Sequence, residues 1–262
     1  MRGEELRGYL LLTEGRSGSS WLGSLTDSTG VMGRSNEWLS PRILGSSMKA
    51  KSKIEYADAV IKAASTENGR FAIKIFPRHL FAFAERYGDD FVNVCRVEHD
   101  VSVFHLERRD SMRQAVSLLR GRQTKQWHSG RPSEGKAEYD FDELARCFFY
   151  IKESNSFWRS YLELSPDLQH QTFIYEEVVG DASPFMSAVA RQLEVELPEY
   201  SSSYQIQRDA ITEEWITRFQ HDLLTKSPLM SYDRRKEFRP ALKNVVRLLR
   251  KRLRGDHPFS FT

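Results

Sequence analysis

The stretch YLLLTEGRSGSSWLGSL, Tyr9 to Leu25, constrains the fold of this chain more than any other, because a short, wholly apolar run passes into a turn of small polar residues and then into a helical segment. Such a run, bounded by a turn, reads as a strand buried on both faces, as in a parallel sheet covered by helices. The turn holds Gly15, Ser17, Gly18, Ser19 and Ser20 with one cation, Arg16. Small residues let the backbone fold around an anion with its amide N–H groups turned inward, and the start of the next helix adds partial positive charge. In the nucleotide-triphosphate loop a Gly-Lys-Ser/Thr ending carries a Lys to the terminal phosphates. Here Ser19 follows Gly18 and no Lys enters the turn, which disfavours a kinase or ATPase. The bland counterpart is a Gly/Ser turn that only caps a helix.

FAIKIF (Phe71 to Phe76) reads as a second strand, VSVFHLERRD (Val101 to Asp110) as a third whose C-terminal end breaks into a charged turn, and TFIYEEVVGD (Thr172 to Asp181) starts as a fourth with a turn after it. Helical spacing runs from about Ile54 to Ala64, through HLFAFAERYG to Gly88, along Gln114 to Leu119, over Asp140 to Leu164, and through PFMSAVARQLEVEL, with Pro184 near its start. The alternation predicts an α/β fold, a mainly parallel sheet flanked by helices. Gly30 to Ser47 reads as a loop bearing Glu37 and Trp38. Gly121 to Gly135, with Gln123, Trp127 and His128, reads as a surface loop able to cover a site.

The chain of 262 residues is expected to form one principal domain over 1–224 and a basic helical extension over 225–262. That extension holds eleven Lys or Arg against three Asp or Glu, a net +8 in a chain whose total is +3, so the body carries −5. The total is too near neutral to imply a nucleic-acid partner. Between Arg234 and Gly255, Leu242, Val245, Val246, Leu248, Leu249 and Leu253 lie among cations, as in a basic amphipathic helix that packs on the body or meets anionic lipid. Cys95 and Cys147 provide neither a disulfide framework nor zinc spacing, which fits a reducing compartment. No apolar run approaches the roughly 18 to 20 residues needed to cross a bilayer, and a cleavable leader is absent. A cytoplasmic protein follows, membrane-peripheral if the tail touches lipid.

A second anion-reading element is LERRDSMRQAVS, where Arg109 and Ser117 span a strand-to-helix turn and bring a guanidinium and a hydroxyl toward one phosphate. Its plain alternative is a solvated charged turn. Together with the opening loop and FIYEE, this element resembles the sulfotransferases that use 3′-phosphoadenosine 5′-phosphosulfate (PAPS). More narrowly, YLLLTEGRSGSSWL, GVMGRSNEWL, FAIK, ERRDSMRQAVS, QTKQW and DAITEEWITRF resemble the bacterial trehalose 2-sulfotransferase family over about Tyr9 to Leu224.

The resemblance implies a P-loop-like sulfotransferase fold in which Arg16, Ser17, Gly18, Ser19 and Ser20 hold the 5′-phosphosulfate and Arg109 with Ser117 the 3′-phosphate. Trp21 either stacks on the adenine or packs in the core. Transfer to an alcohol needs an in-line hydroxyl, a base for its proton and positive charge at the departing oxygen. No metal is demanded. Arg16 fits the leaving-group role; Lys74 is a second cation or the partner of a surface carboxylate. Glu37 stands where the family has its catalytic Glu and is the preferred base, and His79 stands near the catalytic His of the eukaryotic cytosolic enzymes. Trp38, Gln123, Trp127 and His128 are candidate linings for a carbohydrate or glycolipid acceptor. The resemblance also implies a homodimer. A nucleotide kinase with an aberrant loop and a nucleotide-binding protein without turnover are the rival readings.

Overall fold

The computed structural model describes residues 6–40, 43, 50–127, 133–202, 204 and 210–226. His128 and the basic stretch Arg234 to Gly255 lie outside them. Two compact units divide the chain, Met1–Ile216 and Thr217–Thr262; the second is described only over 217–226, as helix.

In the first unit four strands form one wholly parallel sheet: β1 (Arg7–Leu12), β2 (Arg70–Ile75), β3 (Asp100–Glu107) and β4 (His170–Ile174), in the order β2-β1-β3-β4. Leu12 is level with Ile75 on one side and His105 on the other. The chain therefore reverses direction of travel across the sheet at β1, and a crevice opens beyond the carboxyl ends of strands at such a switch point. The Gly/Ser turn sits there.

Alternation along β1 explains its unbroken apolar character. Leu10 and Leu12 face a core made with α2 (Lys53–Ala64), α3 (Pro77–Tyr87), α4 (Phe91–Glu98) and α6 (Phe141–Glu163); Tyr9 and Leu11 face another made with α1 (Ser19–Ser28) and α8 (Ser183–Leu193). Helix α5 (Ser111–Thr124) follows β3, and the four-residue α7 (Tyr175–Val178) follows β4. A last helix, α9 (Ala210–Lys226), begins in the first unit.

Local chemistry sets the helix ends that matter here. Asp110 caps α5 by accepting from the Arg113 amide, and Asp140 caps α6 by accepting from that of Glu143, both at 2.9 Å. Pro77 opens α3 and Gly88 closes it with φ 67°. Helix α5 runs on through Gly121 to Thr124, where the sequence suggests that a loop has begun: the missing Cβ of Gly121 seats the Trp127 ring, so this glycine packs rather than breaks.

Candidate active site

The turn after β1 is held in an uncommon backbone conformation. Gly18, the residue before α1, has φ 93°, and a Cβ there would lie 2.3 Å from the Tyr175 ring. Arg16 has φ 65° although it carries a side chain, a conformation of the kind that persists only where surroundings enforce it. The enforcing groups are identifiable. Gln114 donates to the Gly15 carbonyl at 2.9 Å, Arg108 Nη1 to that of Arg16 at 3.1 Å, and Trp158 Nε1 to that of Thr13 at 2.7 Å. Thr13 Oγ1 donates to the Leu106 carbonyl, so its 2.8 Å contact with Ser17 Oγ takes the serine's proton. Peptides are trans, so the N–H groups of Glu14, Arg16 and Ser17 point away from these three donors.

On the β3 side the turn borders a cleft of about 370 Å³, whose wall includes Arg16, Arg108, Ser117, Arg120, Tyr175 and Glu213. Arg16 Nε donates to Ser117 Oγ at 2.8 Å and its Nη1 to the Trp127 carbonyl at 2.7 Å. The loop and the hydroxyl eight residues past Arg109 are thus in direct contact. Burial, followed by the charges of Arg108 and Arg120, pushes the Arg16 guanidinium down to about 10. Burial lowers Arg108 as well. Its guanidinium lies over the Tyr175 ring, 4.9 Å from the centroid, while its buried Nε has no hydrogen-bond partner and stands 4.0 Å from a Glu176 oxygen. Arginines crowded at reduced dielectric, one with an orphaned donor, could hold an anion here, although Asp110, Glu176 and Glu213 line the same cleft. Arg109 points elsewhere: its side chain is 62% exposed and pairs with Glu177 at 2.6 Å. Arg113 is held by Asp110 and Glu213.

On the β2 side the same turn meets a second cluster. Asn36 forms an isolated parallel bridge with Ile73, its carbonyl accepting from the Lys74 amide at 2.9 Å, which sets Glu37 beside the end of β2. Lys74 is buried, lowered by burial, and its Nζ lies 3.3 Å from Ser20 Oγ rather than at the surface. Glu37 Oε2 accepts from Arg78 Nη2 at 3.1 Å and lies 4.0 Å from His79 Nε2. His79 is 5% exposed and its Nδ1 accepts from the Phe76 amide at 3.2 Å, which puts the proton of the neutral ring on Nε2. Burial, reinforced by Arg78 and Lys74, pushes this imidazole down to about 3.

The remaining sequence-picked residues are more peripheral. Trp21 packs against the core from α1 and Trp38 against the opposite core, its Nε1 donating to the Arg34 carbonyl. Gln123 exchanges both amide groups with the backbone of Glu138. Trp127, 38% exposed, lies on Gly121. Sequence reasoning passed over Glu14, Arg78, Arg108, Tyr150 and Tyr175, although Arg108 adjoins Arg109 and Tyr175 stands in FIYEE. Among the described residues no group of three or more His, Cys, Asp or Glu is placed to hold a metal ion, and no helix is long and apolar enough to cross a membrane.

A turn of small residues at the switch of a parallel sheet, with arginines on one side and the Lys74, Arg78 and Glu37 cluster on the other, is a candidate site for an anionic ligand. The sequence matches the Stf0 sulphotransferase family model over residues 8–222, so the chain belongs to that family, the trehalose 2-sulfotransferase type its motifs resemble, and is a sulfotransferase. It is similar to the sulfotransferase domain from the Synechococcus PCC 7002 olefin synthase (15% identity, 89% of this chain and 98% of that one, TM-score 0.43). It is also similar to a sulfotransferase from Alicyclobacillus acidocaldarius (13% identity, 87% and 96%, TM-score 0.45). No curated protein matches it.

Proposed function

We propose that the enzyme moves a sulfonyl group from PAPS to a hydroxyl of a carbohydrate or glycolipid, with Glu37 as general base. The observation that carries the donor assignment is the convergence of Arg16, Arg108, Arg120 and Ser117 on one cleft wall, with Arg108 Nε unsatisfied. A 3′-phosphate beside these groups would relieve the crowded charge. Arg108 suits that role better than Arg109, which would first have to leave Glu177.

The donor supplies an activated sulfonyl whose departure leaves negative charge on a phosphate oxygen. Arg16, the loop amides, including that of Ser17, and the hydroxyls of Ser19 and Ser20 would hold that oxygen, with Lys74 adding charge through Ser20. The acceptor oxygen forms its bond to sulfur as the sulfur–phosphate oxygen bond breaks, and the acceptor proton goes to the Glu37 carboxylate. His79 suits the base role less well: Nδ1 is occupied and Nε2 already bears the proton, so it can only donate toward Glu37.

The first test is thermal shift with 3′-phosphoadenosine 5′-phosphate (PAP) against ATP with magnesium. Stabilisation by PAP alone is expected; stabilisation by ATP–magnesium alone would restore the kinase reading. A screen of hydroxylated acceptors with labelled PAPS then separates turnover from nucleotide binding and identifies the acceptor. Two further proposals have their own tests: a homodimer, checked by sedimentation, and a lipid contact through the net +8 tail, checked by cosedimentation with anionic liposomes before and after deletion of 230–262.

A further inference from the structure

Glu14 lies between the end of β1 and the Gly/Ser turn, yet its carboxylate is buried, 2% exposed, and does not line the arginine-bearing cleft. An ionised carboxylate in such a place needs partners, and three are present. The Gly15 amide donates to Oε1 at 2.6 Å, Arg78 Nη1 to the same oxygen at 3.2 Å, and the Tyr150 hydroxyl to Oε2 at 2.9 Å. The other edge of the Arg78 guanidinium donates to Glu37, and its face rests on the Phe76 ring, 4.3 Å from the centroid. One planar cation is therefore clamped between a carboxylate of the donor loop and the carboxylate proposed to take the acceptor's proton, with an aromatic ring fixing its plane. A guanidinium can span two carboxylates in this way; the point charge of an ammonium cannot.

We infer that Arg78 is a positioning residue that ties Glu37 to the donor loop through Glu14, so that the segment gripping the donor also sets where the base stands. The inference rests on Glu37 being the base. Effective transfer requires the reacting oxygen, the sulfur and the proton acceptor to be aligned within a few tenths of an ångström, and a rigid bridge between the two half-sites supplies that alignment. Glu14 and Tyr150 complete it by anchoring the bridge to the loop and to α6.

The test uses the full chain with labelled PAPS and water as the acceptor, read as release of labelled sulfate, together with the Kd for PAP. Arg78→Met is expected to slow release by about 10 to 100-fold with PAP affinity within about twofold, whereas a general loss of structure would weaken both. In a Glu37→Gln background the same change is expected to add almost nothing, because the group it positions is already disabled. Multiplicative losses in the double variant would overturn the inference. Full activity of Glu37→Gln would instead remove the base assignment itself, a distinguishable failure. Arg78→Lys, which keeps the charge, is expected to recover little of the rate. A crystal structure of either Arg78 variant gives a reading independent of turnover: Glu37 should leave its place beside His79, and a carboxylate that stays there overturns the inference.

Discussion

Arg16 Nε and Ser117 Oγ, 101 residues apart in the chain, meet at 2.8 Å where the turn after β1 faces the helix after β3. This bond joins the two anion-reading elements into a single wall, so a ligand bearing two phosphate-like groups would touch both without any rearrangement of the sheet. A direct consequence is that Ser117→Ala should loosen Arg16 as well as remove a hydroxyl. Calorimetry is expected to show PAP affinity reduced by about 3 to 30-fold, the range for one neutral or charge-assisted hydrogen bond. Unchanged affinity would separate Ser117 from the donor.

The adjacent arginines are expected to differ. Arg108→Ala removes a buried guanidinium that braces the Arg16 carbonyl and covers Tyr175, so PAP affinity should fall by about 10 to 100-fold. Arg109→Ala removes an exposed partner of Glu177 and should cost less than about threefold. The reverse ranking would return the 3′-phosphate to Arg109.

Glu37→Gln preserves shape while abolishing basicity. Release of sulfate from PAPS is expected to fall by about 10² to 10⁴-fold, the usual contribution of a general base, with PAP affinity almost unaltered. His79→Gln is expected to fall much less.

Gly18→Ala places a methyl group against the Tyr175 ring and a side chain at φ 93°. Loss of stability by at least about 1 to 3 kcal/mol, read from urea midpoints, is expected together with loss of PAP binding. A variant of normal stability and affinity would show that the turn tolerates a different shape.

Acid should unfold the protein through its buried imidazoles. His79 and His105 are both depressed by burial, to about 3 and about 4. Between those values and the unfolded value of 6.5 the unfolded chain binds more protons than the native one, so stability is complete above pH 6.5 and falls as pH drops toward 4. His105 alone accounts for roughly 3 kcal/mol over that window. Replacing His105 by Gln should flatten the acid limb of a Tm-against-pH curve; an unchanged limb would assign acid sensitivity to other groups.

How much of this was legible in the sequence follows from which interactions are local. Strand β1, its turn and α1 are continuous in the chain, and burial on both faces leaves a plain apolar run, so that unit reads directly. The strands beside it and the long helix α6 are nearly as clear. Strand β4 reads from Thr172 onward, while its first two residues, exposed and polar, carry no strand signal and are placed by their pairing with β3. The same division holds in the site. Small residues in a turn announce an anion, but nothing local distinguishes Arg108 from Arg109; the choice is made by Tyr175, Glu176 and Glu177, which arrive with the last strand of the sheet. Glu14, Arg78 and Tyr150 escaped notice for the same reason, their partners lying 64 and 136 residues distant.

The Tyr175 ring packed against Gly18 has a wider consequence. It couples the edge of the sheet to the turn after β1: whatever displaces the end of β4, and with it Tyr175, would press on, or withdraw from, the backbone at Gly18.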